Sequence, residues 1–312
     1  MIRTAELWVR AMLVAALAVC LGACPGDGGR GSPQPPDGTV RAWGWNRDGQ
    51  LGDGTTTNRW TPVQAVDPSD PTGFLAGVTA VAAGSLHTAA LLGDGTLRAW
   101  GYNEGGQLGD GTTTNRWTPV QVVHPSDPTG FLTGVTAVAA GGGHTVAVLG
   151  DGTLRAWGYN GAGQLGDGTG TNRSTPVQVV HPSDPTGFLT GVTEVAAGSW
   201  YTVALLGDGT LRAWGGNLDG QLGDGTTMHR WTPVQVVDPS DPTGFLTGAA
   251  AVAAGWYHTV ALLGDGTVRA WGWNFRGQLG IGTTSLLPNP IPALVVDPSD
   301  PTGFLTGVTA VA

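Results

Sequence analysis

The side chains with the clearest chemical potential are three histidines that recur at one position of a repeated segment. His87, His144 and His258 each precede a threonine, and Tyr201 stands at the same position in a further copy. Three imidazoles form a common ligand set for zinc if they converge on one point. Equivalent atoms of successive repeats lie too far apart for that unless they line a central axis. We therefore predict no metal and no cofactor.

Two recurring acidic segments offer oxygen atoms that could bind calcium. They contain Asp53 and Asp67, but neither segment has the spacing of a recognised calcium loop, and Ile281 replaces the first aspartate in the last copy. Turns closed by aspartate side chains are the favoured interpretation. Glu104 and Glu194 are the only glutamates of the repeated part and belong to different copies, so no glycosidase pair is predicted.

No motif in the chain is typical of a catalytic centre. The sequence contains no nucleophile elbow, no phosphate-binding loop and no zincin motif. Nearly every aspartate belongs to a turn or loop that recurs in each copy, whereas a catalytic group normally has an environment of its own. We predict that the protein is not an enzyme.

Arginine is the only basic residue type among the 14 basic residues, and the formal net charge is −9. One arginine recurs per copy between apolar strand neighbours. A ring of such arginines could bind an anion, but pairing with a carboxylate, for example in a nearby Asp-Gly turn, is favoured. Because acidic residues outnumber evenly spread basic ones, no nucleic-acid partner is expected. The recurring arginines are Arg41, Arg98, Arg155, Arg212 and Arg269.

An internal repeat determines which elements must position these residues. The first marker of the repeat is Ala-Trp-Gly-x-Asn-x-x-Gly-Gln-Leu-Gly, and it returns every 57 residues from Ala42, through Ala99, Ala156 and Ala213, to Ala270. A second marker, Pro-Ser-Asp-Pro-Thr-Gly-Phe-Leu, follows it in every copy. The last interval of this second marker is two residues longer because of an insertion within residues 286–292.

Each copy has the pattern of four short β-strands. Residues 135–148 contain two alternating segments around a glycine-rich turn. The Asp151-Gly152 pair is typical of a tight hairpin to a third strand at residues 153–157, and residues 176–180 provide the fourth. Four short strands repeated radially form the blades of a β-propeller. We predict an all-β fold, a β-propeller of about five four-stranded blades.

The repeat also carries a family resemblance. The run Trp-Gly-x-Asn-x-x-Gly-Gln-Leu-Gly-x-Gly, followed by Val-x-x-Val-Ala-Ala-Gly-x-x-His-Thr, resembles the regulator-of-chromosome-condensation (RCC1-like) repeat. The resemblance covers residues 37–312 and implies the propeller fold, but it implies much less about function. Seven blades are usual in that family, whereas this chain holds four full copies and one copy split between its two ends.

The split copy leaves the closure of the propeller open. It lacks the counterpart of residues 83–93, which is one turn and one strand. One interpretation is a five-bladed ring closed imperfectly by the two ends, and the other is an open arc from a longer repeat array. An open arc would expose blade faces and a strand edge at each end.

Residues 1–24 are predicted to be a lipoprotein signal peptide. An apolar stretch too short for a transmembrane helix ends in Leu-Gly-Ala-Cys24, which resembles a bacterial lipobox. Cys24 is the predicted lipidation site, with secretory cleavage without a lipid as the alternative, and residues 25–36 are predicted to be a flexible tether. We expect a bacterial protein that is exported and attached to the inner or outer membrane of the cell envelope only through its lipid anchor.

The copies differ mainly at loop positions that carry aromatic residues. Such residues are enriched at protein-binding hot spots, although loop tips also tolerate drift. We predict a protein–protein interaction scaffold that presents aromatic loops on one face to an unknown protein partner, with carbohydrate binding or a truncated array fragment as alternatives. The predicted partner-binding residues are Trp45, Tyr102, Tyr159, Trp200, Tyr201, Trp256, Tyr257, His258, Trp273 and Phe275.

Overall fold

The computed structural model of the chain describes residues 38–67, 69, 73–124, 126–181, 184–238, 240–241 and 244–312. The signal peptide and tether predicted for residues 1–24 and 25–36, with the lipidation site Cys24, lie outside the described residues.

Every element of regular secondary structure in the described part is a β-strand, which confirms the predicted all-β class. The strands are β1 (Arg41–Gly44), β2 (Arg59–Gln64), β3 (Val78–Ala83), β4 (His87–Leu92), β5 (Leu97–Gly101), β6 (Arg116–Gln121), β7 (Val123–His124), β8 (Asp127–Phe131), β9 (Val135–Ala140), β10 (His144–Leu149), β11 (Leu154–Gly158), β12 (Arg173–Gln178), β13 (Val180–His181), β14 (Asp184–Phe188), β15 (Val192–Ala197), β16 (Tyr201–Leu206), β17 (Leu211–Gly215), β18 (Arg230–Gln235), β19 (Ala249–Ala254), β20 (His258–Leu263), β21 (Val268–Asn274) and β22 (Ser285–Leu294).

The strands form a series of antiparallel sheets in chain order. Blade 1 is the pair β1–β2, and blades 2 to 5 are four-stranded sheets in which each strand pairs with the next along the chain. Two short pairs, β7–β8 and β13–β14, lie in the connections after blades 2 and 3. Blade 2 is β3–β6, blade 3 is β9–β12, blade 4 is β15–β18 and blade 5 is β19–β22. The predicted four-stranded blade is therefore confirmed.

The hydrophobic core lies between successive blades. Alternation along a strand sends every second side chain to the same face of its sheet. Val146 and Leu154 of blade 3 thus pack against Val192 and Trp214 of blade 4, and all four side chains are buried. Since each sheet covers the apolar face of the preceding one, the array is stabilised by nearest-neighbour contacts.

The order of strands within a blade defines the inside and the outside of the array. β3 contacts β9, β9 contacts β15 and β15 contacts β19, so the first strand of each blade is the innermost. The fourth strand is the outermost one and exposes Trp117 in β6 and Trp231 in β18. Because the strands are antiparallel, the turn after the first strand and the segment after the third strand meet at the same end of the blade.

The described residues do not close into a ring. Trp100 is fully buried against the blade before it, whereas Trp43, its counterpart in blade 1, is only partly buried. At the other end the Val308 amide donates to Gly266 O over 3.1 Å, the bond with which the first strand of a blade begins elsewhere. Residues 308–312 nevertheless form no strand. The described residues therefore leave the array open, and its origin in a longer repeat array stays a prediction.

Candidate functional site

The recurring histidines lie inside the boundaries between blades. His87 Nε2 is 2.9 Å from Thr145 Oγ1 of the next blade, and His144 has the same relation to its own counterpart threonine. Thr145 donates to Gln107 O, which also accepts a hydrogen bond from the indole of Trp157. Burial lowers the pKa of His87 to about 4, so this imidazole is neutral at physiological pH. These histidines stabilise the blade boundary.

Two further features are absent from the part of the chain that the structure describes. In those residues no three histidine, cysteine, aspartate or glutamate side chains are grouped so that they could hold a metal ion. None of the same residues belongs to a helix of the length and apolar character that crossing a membrane requires.

The first recurring aspartate, Asp53, closes a polar network in the loop after β1, the strand of blade 1 that corresponds to the third strand of the complete blades. The Asp53 carboxylate accepts hydrogen bonds from Asn46 Nδ2 (3.1 Å), Thr55 Oγ1 (2.7 Å) and Arg59 Nε (2.6 Å). The same ion pair recurs in blades 2, 3 and 4. Blade 5 lacks both partners of this ion pair. Ile281 replaces the aspartate, and Asn289 replaces the arginine, because it pairs with Gly272 as Arg230 pairs with Gly215 in blade 4. The carboxylate oxygens are therefore engaged in the loop itself, in the manner of the predicted side-chain-closed turns.

The aromatic residues that vary between copies come from two adjacent segments of each blade. The Trp273 amide, near the end of β21 in blade 5, donates to Tyr257 O in the turn after the first strand, over 2.9 Å. The Tyr159 amide makes the same bond to Gly143 O in blade 3. Successive turns are also joined, since the Ser199 amide donates to Trp256 O over 3.2 Å. The variable positions thus line one face of the array.

Blade 5 carries a continuous group of ring contacts, which we call the blade 5 aromatic cluster. Tyr257 contacts Trp256 edge to face, with ring centroids 6.4 Å apart, and contacts Trp273 in the same way at 6.0 Å. Phe275 stacks on Trp273 at 6.1 Å, with an angle of 18° between the rings. The Arg276 guanidinium lies 5.4 Å from the centroid of the Phe275 ring. Trp256 and Phe275 are 43% and 44% exposed, so the cluster presents aromatic surface to solvent.

The remaining predicted aromatics form smaller groups along the same face. Tyr159 of blade 3 meets Trp200 of blade 4 edge to face at 5.3 Å. The Tyr102 hydroxyl donates to Glu104 over 2.8 Å, and burial together with this bond raises the pKa of Tyr102 to about 12. Trp45 lies partly buried in blade 1. Apart from Tyr201 and His258, the structure therefore brings the predicted residues to one face but groups them unevenly, with the largest group in blade 5.

Tyr201 and His258 do not belong to that exposed surface in the way that the sequence predicted. Tyr201 is fully buried, and its hydroxyl donates to the backbone oxygen of His258 across the boundary between blades 4 and 5. His258 is partly buried, and burial lowers its pKa. The assignment of Tyr201 to a partner-binding surface is wrong because Tyr201 takes the inward position that histidine occupies in the other blades.

Exposed tryptophans on the outermost strands were not predicted as candidate binding residues. Trp60, Trp117 and Trp231 recur in an Arg-Trp-Thr-Pro segment and are 89%, 52% and 45% exposed. Trp117 lies against Gly49 of the preceding blade, where the space beside the glycine admits no side chain. The signal available in the sequence was the tryptophan between polar neighbours, a position that alternation places on the solvent side.

The chain is similar in sequence and in fold to several known proteins. The family model described as the RCC1-like domain matches residues 35–310. The ultraviolet-B receptor UVR8 of Arabidopsis thaliana is 35% identical over 265 residues, which are 84% of this chain and 55% of the receptor, so the chain spans about half the length of that relative. The crystal structure of human WBSCR16 is similar with a TM-score of 0.67 at 27% identity, over 83% of this chain and 63% of that one. The structure of Prp20p from Saccharomyces cerevisiae gives 0.66 at 23% identity, over 83% and 59%.

Proposed function

Because the chain belongs to the RCC1-like domain family, we propose that it is a protein-binding β-propeller whose contact surface is the blade 5 aromatic cluster. The observation that carries the proposal is the run of ring contacts from Trp256 through Tyr257 and Trp273 to Phe275. Tryptophan, tyrosine and arginine are the residue types most enriched at binding hot spots. The rings are already held against one another, so little side-chain freedom is lost when a partner covers them.

The confinement of the cluster to one blade supports a role in binding. The same face of blade 3 has Gly142, Gly143 and Gly161 at the positions of Trp256, Tyr257 and Phe275. The fold therefore does not require aromatic residues there, and exposing them to water costs free energy without stabilising a blade boundary. A partner that buries these rings supplies a reason for their presence.

The relatives support a binding role in general terms. UVR8 is a receptor, and the study of Prp20p concerns its binding to Gsp1p and histones. At 23% identity the likeness to Prp20p is one of fold, so the choice of surface rests on the aromatic cluster alone. The engagement of Asp53 and its counterparts with arginine, asparagine and threonine supports a role without catalysis.

The proposed binding surface can be tested with a variant that the chain itself suggests. Replacing Trp256 and Tyr257 by Gly, Trp273 by Tyr and Phe275 by Gly gives blade 5 the residues that blade 3 carries at these positions. Partners cross-linked to the full chain in its own cells would be identified by mass spectrometry, and each one purified for calorimetry. We expect the affinity of the true partner to fall at least about 100-fold in this variant, as for the loss of a hot spot.

A matched control changes an exposed tryptophan away from the cluster. Trp117→Ser introduces the residue that blade 3 has at Ser174 on its outermost strand, and it should leave the affinity unchanged. Equal affinities of the cluster variant and the unmodified chain would refute the assignment of the surface. Retention of the unmodified chain on a glycan array, lost in the cluster variant and without any protein partner, would replace the protein partner by a carbohydrate.

We further propose that the protein is exported and held at the cell envelope by a lipid on Cys24. The support is the lipobox-like segment that ends at this residue. Intact-mass analysis after expression in a bacterial host should show the mass of acyl chains in the unmodified protein and in Cys20→Ser, but not in Cys24→Ser. An unmodified protein without acyl mass would overturn the proposed anchor.

A further inference from the structure

The third-strand arginines lie beside the loop of the preceding blade, and the loop residue that meets them changes from blade to blade. In blade 5, Arg269 Nη2 lies 3.3 Å from Asp238 Oδ2. The other oxygen of Asp238 accepts bonds from the Ser240 amide (2.9 Å) and the Ser240 hydroxyl (2.6 Å). At this boundary the chain supplies its own carboxylate to the guanidinium.

Histidine replaces that aspartate before blades 3 and 4. His124 and Arg155 occupy the positions of Asp238 and Arg269, and both line an open cleft of about 460 Å³. No ion pair within 4.0 Å joins Arg155 to a carboxylate among the side chains that the structure describes. Its Nη1 donates to Leu154 O over 3.3 Å, and its Nε is buried without a hydrogen-bond partner, as is Arg269 Nε in blade 5. Removal from water lowers the pKa of Arg155, and the charge of the nearby Asp151 carboxylate opposes that shift only in part.

The other polar groups of the cleft are neutral or already paired. Asp167 and Arg173 form an ion pair with an N–O distance of 2.8 Å, so together they add no net charge. The Ser126 amide donates to His124 Nδ1 over 3.2 Å, and a neutral imidazole that accepts at Nδ1 carries its proton on Nε2. The cleft therefore combines one guanidinium that forms no close ion pair among the described side chains with an additional N–H donor.

We propose that the cleft between His124 and Arg155 binds a small oxyanion, a carboxylate or phosphate group, in the place that the Asp238 carboxylate takes against Arg269. An external oxyanion restores the charge-assisted bonds that the exchange of aspartate for histidine removed. This site lies at the side of the blades and is independent of the blade 5 aromatic cluster.

The same exchange occurs once more. His181 precedes blade 4, and Arg212 Nε and Nη1 are buried without a hydrogen-bond partner in the described part of the chain. We extend the proposal to this boundary, where the same exchange of aspartate for histidine predicts a second oxyanion site. At the boundary before blade 2, Asp67 and Arg98 occupy the positions of Asp238 and Arg269. No ion pair within 4.0 Å joins these two residues in the described part of the chain, so the close contact of blade 5 is not formed here.

Reciprocal exchanges at the loop position test the proposal. Inorganic phosphate and acetate, each titrated separately into the full chain by calorimetry at fixed ionic strength, should bind at two sites per chain. His124→Asp gives the Arg155 boundary the residues of blade 5 and should reduce the number of sites to one. Asp238→His gives blade 5 the residues of blade 3 and should increase it to three, which a loss of folding cannot imitate.

The experiment also separates the kind of oxyanion. Stronger binding of phosphate than of acetate identifies a phosphate site, and the reverse order identifies a carboxylate site. Arg155→Gln should weaken binding at its site at least 10-fold while circular dichroism stays unchanged. Absence of binding of both probes, or two sites in all of these variants, would overturn the proposal.

Discussion

His87 Nε2 lies 2.9 Å from Thr145 Oγ1 across the boundary between blades 2 and 3. Thr145 uses its own proton to donate to Gln107 O over 2.8 Å, so the imidazole must be the donor and its proton must be on Nε2. His87 Nδ1 is buried without a partner. The boundary is therefore built for a neutral histidine, because a second ring proton would be buried without an acceptor.

The stability of the array should decrease in mild acid. Burial lowers the pKa of His87 to about 4 and that of His144 to about 3, from 6.5 in an unfolded chain. Between these values the unfolded chain binds protons that the folded chain does not, so stability is complete above pH 6.5 and is lost as the pH falls. We expect each histidine to contribute about 2 kcal/mol of this loss between pH 7.5 and pH 5. Urea unfolding followed by circular dichroism over that range measures it.

A natural substitution within the chain provides the control. Tyr201 occupies the histidine position of blade 4, and its hydroxyl lies 3.1 Å from Thr259 Oγ1, the counterpart of Thr145. The double variant His87→Tyr, His144→Tyr should therefore fold and lose most of the acid-dependent destabilisation over this range. A pH dependence as steep as that of the unmodified chain would show that these imidazoles do not cause it.

Replacing the boundary tryptophan should cost much more inside the array than at its end. Trp157 is fully buried and donates from Nε1 to Gln107 O over 3.0 Å, whereas Trp43 is only partly buried. Trp157→Phe loses the hydrogen bond and leaves a cavity, with an expected cost of about 2–4 kcal/mol. Trp43→Phe should cost less than about 1 kcal/mol, since a partly exposed side chain loses less on truncation. Similar costs in urea unfolding would contradict the open end of the array.

The sequence was sufficient to predict the blade, its four strands and the inward position of Trp157, because those follow from spacing and alternation. Alternation along β16 also places Tyr201 on the same side as the buried Val203 and Leu205. The ring contacts of the blade 5 aromatic cluster were not predictable in the same way. They join residues of two separate segments, and only the folded backbone determines the distance between them.

The arginine sites show a second limit of prediction from the sequence. A carboxylate partner for the recurring arginines was expected, and for Arg269 the partner is Asp238, 31 positions earlier, rather than a residue of the adjacent turn. The exchange of Asp238 for His124 in an earlier copy is visible in the sequence, but its meaning depends on which arginine the loop contacts. That pairing crosses a blade boundary and becomes evident only in three dimensions.

The loop ion pair should be strongly coupled to its hydrogen-bond network. Asp110 Oδ2 lies 2.7 Å from Arg116 Nη2, and Oδ1 accepts bonds from Asn103 and Thr112. Asp110→Ile should cost about 2–3 kcal/mol because buried donors lose their acceptor. Arg116→Asn should cost about 1 kcal/mol or less because the guanidinium is partly exposed.

A double-mutant cycle distinguishes coupling from independent effects. The variant with both Asp110→Ile and Arg116→Asn carries the pair that blade 5 has in Ile281 and Asn289. We expect its loss of unfolding free energy to be smaller than the sum of the single losses by at least about 0.5 kcal/mol. Simple additivity would show that the ion pair contributes nothing of its own.

Two glycines with the same backbone conformation separate strain from close packing. Gly134 has φ +71° with no atom within 4 Å of the position of an added Cβ. Gly166 has φ +67°, and an added Cβ would lie 2.8 Å from Trp214 Nε1. Alanine at either position adopts a left-handed conformation at a cost of about 1–2 kcal/mol. Only at Gly166 does the methyl group also displace the indole from Gln164 O, to which it donates over 2.9 Å.

Gly134→Ala should therefore cost about 1–2 kcal/mol and Gly166→Ala at least about 3 kcal/mol in urea unfolding. The indole proton of Trp214 provides an independent readout, because its hydrogen exchange should accelerate in Gly166→Ala and stay unchanged in Gly134→Ala. Equal costs with equal exchange rates would mean that the backbone conformation alone requires glycine at position 166. A larger cost with faster exchange would mean that the glycine is required because the tryptophan of the next blade must approach the backbone directly.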